Sequence, residues 1–272
     1  MDRIIDEVEF TLFDTETTGL EPKSGDRIVE IAALRFKAAE RIASFQSLVN
    51  PGRPISEAAF NVNHISQEML KGAPSIDLVM PGFLEFIKGS CLLSYNAVFD
   101  LEFLNNELKM LNLPALTDVV VMDILKMARR GLPNLERYAL WFVAQYLGLG
   151  AKQEHRAFSD VELSFGVYQR LKQALTNKGI THFTHFASLF GIKSAFLENI
   201  INQKIAEIQE AINLQVKLKI KYVSSSGAVT EREIMPKQIR QENKYFYLVA
   251  HCCLRDEERT FRIDGILHLE IL

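Results

Sequence analysis

Cysteine is scarce in this sequence: three residues among 272, two of them adjacent (Cys252 and Cys253). That count excludes a disulfide framework and fits a reducing compartment. Long apolar runs are missing too, and none approaches the ~20 residues that cross a bilayer. The opening residues, Met1 to Glu7, have neither the basic start nor the apolar core of a signal peptide. A cytoplasmic protein with no membrane partner is the expectation. An excess of positive charge is also absent. The formal net charge is -3, so bulk charge does not announce a nucleic-acid partner. The two parts of the chain differ slightly. Val216 to Leu272 carries 10 Lys/Arg against 8 Asp/Glu, and the rest carries 21 against 26. An acidic part that collects cations, joined to a mildly basic tail, is compatible with both counts.

What is present is ordinary for a globular chain: 48% hydrophobic and 24% charged residues. Phe10 to Phe13 reads as the end of a strand. Arg27 to Phe36 and Arg41 to Val49 alternate as two more, giving a largely antiparallel opening. Ser56 to Gly72 reads as short helices and Ile76 to Lys88 as a longer one. Cys91 to Tyr95 and Val119 to Met122 are short buried strands, each followed by a helix. The pattern predicts a helix capped by Asn134 and bearing Leu135, Tyr138 and Phe142, then another over Phe158 to Leu175. Strands alternating with helices after an antiparallel start imply an α/β sheet flanked by helices. The expected division is a first domain over residues 1–178, a linker over 179–195 and a last domain over 196–272. Within the linker, His182 and His185 lack a local third ligand, and a surface helix or loop is favoured over a zinc site. The last domain reads as short strands and turns, the pattern of a small barrel or sandwich.

Chemistry concentrates at three places. Asp14 and Glu16 are two apart in a strand and therefore share one side. Carboxylates so close repel each other unless a cation lies between them. Asp100 sits just past the strand 91–95, where ligands bind in open sheets. His155 lies in a loop, with Asp160 five residues on, near the start of a helix. Four carboxylates and a histidine can converge on one cleft.

The blocks Phe13-Asp14-Thr15-Glu16-Thr17-Thr18-Gly19-Leu20, Asn96-x-x-Phe99-Asp100 and His155-x-Ala157-x-x-Asp160 resemble the three motifs of DnaQ-like DEDDh 3′–5′ exonucleases. The resemblance implies an RNase H-like fold. It also implies that Asp14, Glu16, Asp100 and Asp160 hold two Mg²⁺ or Mn²⁺ ions, with His155 as general base. Oxygen ligands suit such hard cations. It further implies that Thr17, Thr18 and Leu20 meet the strand's 3′ end, and that His64, Asn96 and Phe99 line the substrate pocket. Leu20 and Phe99 are equally readable as core. Tyr95 departs from the family pattern, where many relatives have His. The implied activity is hydrolysis of DNA or RNA from the 3′ end to nucleoside 5′-monophosphates. The implied partner is single-stranded or 3′-ended nucleic acid, and no protein partner or oligomer is readable.

Lys219 to Tyr222, Arg232, Pro236, Tyr245 to Ala250 and Arg259 to Ile266 resemble a WYL domain, with Phe246-Tyr247-Leu248 at the naming triplet. Gly265 stands where that family usually has Arg. This resemblance implies a small Sm/SH3-like β-barrel that binds nucleic acid or a nucleotide-like ligand through Tyr247, His251, Arg259 and Arg262. The alternative is that these side chains only close the barrel. A second function also fits: a nucleic-acid-responsive regulator that uses the exonuclease fold as a scaffold.

Overall fold

The computed structural model describes residues 3–150, 155–192 and 194–272, so Met1 and Asp2 of the acidic opening lie outside the described residues. The first sheet is built from β1 (Glu9–Thr17), β2 (Ile28–Lys37), β3 (Glu40–Leu48), β4 (Cys91–Ser94) and β5 (Val121–Asp123), in the order β3-β2-β1-β4-β5. β1, β2 and β3 pair antiparallel, while β4 and β5 run parallel to β1. β1 thus lies between two neighbours and is covered on both faces. Phe10 and Leu12 enter one core with α7 (Ala157–Thr176), while Phe13 enters the other with α3 (Ile76–Ile87) and α4 (Ala97–Met110). β1 runs four residues beyond the apolar stretch, because β2 pairs with it in register as far as Glu16 opposite Glu30.

The remaining helices of this part are α1 (Glu57–Asn63), α2 (Gln67–Leu70), α5 (Ile124–Gly131) and α6 (Leu140–Tyr146). The helix expected from Asn134 starts later, at Leu140. Asn134 adopts a left-handed backbone, φ 71°. The Tyr138 hydroxyl donates to the Leu132 carbonyl, and the Tyr138 carbonyl accepts from the Tyr95 hydroxyl. These bonds hold Leu135 and Tyr138 against the core as a loop.

Residues 179–195 include α8 (Phe183–Phe190), whose Phe186, Ala187 and Phe190 are fully buried in the first core. The Ile192 N–H donates to the Val121 carbonyl, which ties this segment to β5. α9 (Ala195–Leu214) follows, then β6 (Leu218–Val223), β7 (Val229–Glu242), β8 (Tyr245–Cys252), β9 (Glu257–Arg262) and β10 (Ile266–Ile271). Their order is β10-β6-β7-β8-β9, an antiparallel sheet with β10 and β9 at its edges. The expected barrel does not close among the described residues. Instead α9 lays Ile208 and Ala211 on Leu218, Ile220, Leu248 and Ala250, providing the cover that closure would give. Pro236 sits at a register shift in β7, where its missing N–H is tolerated. Gly265 marks a close approach: a Cβ there would lie 2.8 Å from the Val223 carbonyl oxygen. The two sheets touch: Val223 and Leu267 join the first core, and the Ser188 hydroxyl donates to the Asp264 carbonyl. No helix among the described residues is long and apolar enough to cross a membrane.

Candidate active site

Asp14 and Glu16 continue the face of β1 that carries Phe10 and Leu12, and α7 packs across that face. Asp160, in the first turn of α7, is thereby brought to them. One oxygen from each of Asp14, Glu16 and Asp160 lies within 4.8 Å of the other two. Thr15 points the opposite way and meets Asp100, in the first turn of α4. Asp100 Oδ1 accepts from the Thr15 N–H (3.0 Å) and hydroxyl (2.7 Å), and its Oδ2 accepts from the Ser94 hydroxyl (2.6 Å). Of the four expected carboxylates, three form the cluster and Asp100 stands beside it, fixed by its neighbours.

The electrostatics follow from crowding without a cation. Burial pushes the Asp14 carboxyl well above its ordinary range, and Asp100, Glu16, Asp160 and Glu30 push it further. Burial, then Asp160 and Glu30, lift Glu16 to about 8, against an Asn63 hydrogen bond that lowers it. Burial raises Asp100 to about 6 despite the bonds from Ser94 and Thr15. A set of mutually repelling oxygens and no nitrogen or sulfur donor is the set that hard divalent cations select. The residues present therefore fit Mg²⁺ or a similar ion.

His155 has a left-handed backbone, φ 50°, and is half-buried. The next residue explains how the loop is held. Arg156 Nε donates to Glu30 Oε2 (3.0 Å) and Nη2 to Oε1 (2.7 Å), while the Ala157 N–H donates to Oε2 (3.0 Å). Glu30 is fully buried and also accepts from the Gln46 amide. Burial raises its carboxyl, but the Arg156, Ala157 and Gln46 bonds outweigh this and hold it below its usual value. Glu30 thus fastens the start of α7 to β2, directly opposite Glu16. Sequence reading passed over Glu30, which looked like one polar step in an alternating strand. It also missed Thr15, Ser94 and Asn63, whose side-chain amide donates to the Thr17 carbonyl.

The Thr17 hydroxyl donates to the Gly19 carbonyl and the Thr18 hydroxyl to Asp26, so both shape the loop after β1. Leu20 at the loop's tip is 76% exposed, which removes its reading as core. Phe99 is half-buried against Phe103, with ring centroids 4.9 Å apart. His64 caps α1 with φ 54° and is exposed. Asn96 precedes α4 with φ 69°, and its N–H donates to Asp123.

In the second sheet, Tyr247 and Arg262 are cross-strand partners and share a face. Arg262 lies over the Tyr245 ring, 3.9 Å from its centroid, and forms a two-pronged pair with Asp264. Arg259 stands opposite Ala250, on the other face, and pairs with Glu257. His251 lies 3.2 Å from Asp256, far along β8 from Tyr247. The structure therefore joins Tyr247 to Arg262 and separates both from Arg259 and His251. His182 and His185 line a separate cavity of about 530 Å³ with Lys219, Lys221, Glu231 and His268. They form no metal-ligand cluster among the described residues.

A carboxylate cluster on a mixed sheet, with a helix delivering the third acid, defines a cation-dependent centre of the α/β class. The exonuclease family profile matches residues 11–168 and a WYL domain profile matches residues 203–271. The chain belongs to the exonuclease family and carries a WYL domain. It is 40% identical over 163 residues to DNA polymerase III subunit epsilon of Treponema pallidum (strain Nichols), covering 59% of this chain and 75% of that one. It is 34% identical over 183 residues to DNA polymerase III PolC-type of Caldanaerobacter subterraneus, covering 67% of this chain and 13% of the relative. A DNA polymerase III subunit epsilon-like protein of Rhodobacter capsulatus is 38% identical over 183 residues, 66% of this chain and 26% of its own length. The chain thus spans about an eighth and a quarter of these last two relatives. The fold is shared with the nuclease domain of 3′hExo, a DEDDh family member bound to rAMP. That likeness has a TM-score of 0.53 at 19% identity and covers 61% of this chain and 92% of that one.

Proposed function

We propose that this chain hydrolyses phosphodiester bonds from the 3′ end of a nucleic acid and releases nucleoside 5′-monophosphates. The observation that carries this is the convergence of Asp14, Glu16 and Asp160 within 4.8 Å, beside a fixed Asp100. In this reading Asp14, Glu16, Asp100 and Asp160 hold two Mg²⁺ or Mn²⁺ ions. When bound, the cations offset the negative charge of the scissile phosphate and of its leaving oxygen. Thr15 and Ser94 keep the Asp100 oxygens in place, which holds the ligand set rigid. A ring nitrogen of His155 takes the proton from water as the water oxygen bonds to phosphorus. The bond from phosphorus to the 3′ oxygen breaks, and that oxygen leaves with a proton from solvent. Exposed Leu20 wedges against the terminal base, and the loop of Thr17 and Thr18 receives the 3′-hydroxyl. DNA is the favoured polymer, because the relatives named above are DNA polymerase III components. The WYL domain recruits or senses nucleic acid through the Tyr247 and Arg262 face.

A panel of 3′-labelled single- and double-stranded DNA and RNA, with Mg²⁺ or EDTA, tests this reading. Shortening of DNA in Mg²⁺ is expected, with a loss of roughly a hundredfold or more in Asp14→Ala. If no substrate is shortened, or Asp14→Ala matches wild type, the scaffold reading replaces the enzyme.

A further inference from the structure

The junction between the two sheets holds more positive charge than its neighbours neutralise. Arg130, near the end of α5, is 9% exposed. Its Nη1 is shielded from solvent and has no hydrogen-bond partner among the described residues. A buried guanidinium without an acceptor is costly to keep. The charged and phenolic groups acting on it are Asp264, Arg262, Tyr222 and Tyr245, from the strands of the second sheet and the turn between β9 and β10. Asp264 is the one carboxylate among them, and Arg262 already occupies both of its oxygens.

Lys126 lies four residues earlier on α5, on the same side of the helix as Arg130. It donates to the Gly191 carbonyl at 2.8 Å. Arg262 and Lys244 repel it, while Asp123 and Asp264 attract it. Lys244, at the β7–β8 turn, sits 5.6 Å from the Tyr245 ring centroid, and Arg262 lies 3.9 Å from it. Lys244 and Arg262 thus lie at the Tyr245 ring, while Arg130 and Lys126 from the first domain face the field of Arg262 and of Asp264, a carboxylate that is already engaged. α5 follows directly from β5, whose last residue Asp123 accepts from the Asn96 N–H at the catalytic edge of the first sheet.

We propose that Arg130, Lys126 and Arg262 form a phosphate-binding site at this junction, with Lys244 at its solvent side and Tyr245 orienting Arg262. A phosphate oxygen is the acceptor that the Arg130 fork lacks, and Arg and Lys donors are suited to it. The inference rests on the exonuclease reading for its two sources of ligand: a backbone phosphate of the bound strand, or the 5′-phosphate of a released nucleoside monophosphate. In either case the site joins the WYL sheet to the helix that leaves the catalytic edge.

The test uses the full chain in EDTA, so that nothing is hydrolysed. Inorganic phosphate, deoxyadenosine 5′-monophosphate and a ten-nucleotide single-stranded DNA are titrated, reading the thermal-unfolding midpoint and direct binding. Wild type is expected to bind phosphate and to unfold at a higher midpoint with it. Arg130→Met and Lys126→Gln are each expected to lose about tenfold in affinity. Without ligand, Arg130→Met is expected to unfold no lower than wild type, since it removes an unpaired buried charge. A monophosphate that binds tighter than the oligonucleotide identifies the released product as the ligand, and the reverse order identifies the strand. If no anion shifts wild type, or if both variants bind as wild type does, the site does not exist. Should Arg130→Met fail to fold, Lys126→Gln decides. The exonuclease reading fails separately, through an Asp14→Ala protein that still hydrolyses, and that result leaves these binding outcomes untouched.

Discussion

Replacing Arg156 with Met tests whether Glu30 is the anchor of the loop that carries His155. The variant keeps the length and apolar stem of the side chain and removes two charged hydrogen bonds to Glu30. A fully buried carboxylate is then left with the Ala157 N–H and the Gln46 amide as donors. A hydrogen bond to a charged group contributes about 1.5–3 kcal/mol. Arg156 is 35% exposed, so water already screens part of the pair. The expected loss is therefore about 2–3 kcal/mol at pH 7, below the full value for breaking a buried pair. Urea unfolding measures it. The pH dependence has a definite sign. Glu30 is held below its ordinary 4.5 in the folded chain, so its contribution is present above that pH and fades as pH falls through the folded value. The gap between wild type and Arg156→Met should close on acidification. If His155 is the general base proposed above, activity should fall as well, by up to about a hundredfold, because His155 is the adjacent residue and small displacements of such a group are costly. Arg156→Lys should retain part of both, and Glu30→Gln combined with Arg156→Met should recover stability without activity. A variant within ~0.5 kcal/mol of wild type and fully active would refute the anchoring argument.

Two further outcomes follow from the site. Glu16 is raised from 4.5 to about 8, so the metal-free protein should lose stability as pH rises through that window. Mg²⁺ should restore it most strongly near pH 8.5, and a metal-free protein that gains stability from pH 5.5 to 8.5 in unfolding titrations would contradict the crowding described above. Leu20→Ala removes an exposed side chain, so unfolding should shift by less than ~0.5 kcal/mol while KM for an oligonucleotide rises several-fold. An unchanged KM would remove Leu20 from the substrate contact.

The parts of the site that were legible are those whose chemistry is written locally. Asp14 and Glu16 share a side by strand parity, and the type and order of Asp100, His155 and Asp160 complete a recognisable set. Glu30 was illegible because a single acid in an alternating strand usually faces solvent. It is buried here because α7 lands on β2 and brings Arg156 with it. Thr15 and Ser94 were illegible for the same reason, since a hydroxyl reveals its acceptor only when two elements meet. The stretch after Asn134 has the spacing of a helix, but the Tyr95 and Tyr138 hydroxyls hold it as a loop, the first through a bond that spans 43 residues. The tail strands were readable as strands, yet their closure depended on α9, which covers the sheet and leaves it open-edged.

By itself the sequence determined the acidic motifs, their order, the alternation that makes β1 and β2, and the change of character near residue 216. Those are properties of near neighbours along the chain, where periodicity and residue chemistry suffice. Tertiary structure alone decided that three carboxylates reach within 4.8 Å while Asp100 is held aside, and that Arg130 is buried with no hydrogen-bond partner for its Nη1 among the described residues. Each of those depends on which helix packs on which sheet, and burial and charge act there between residues far apart in the chain.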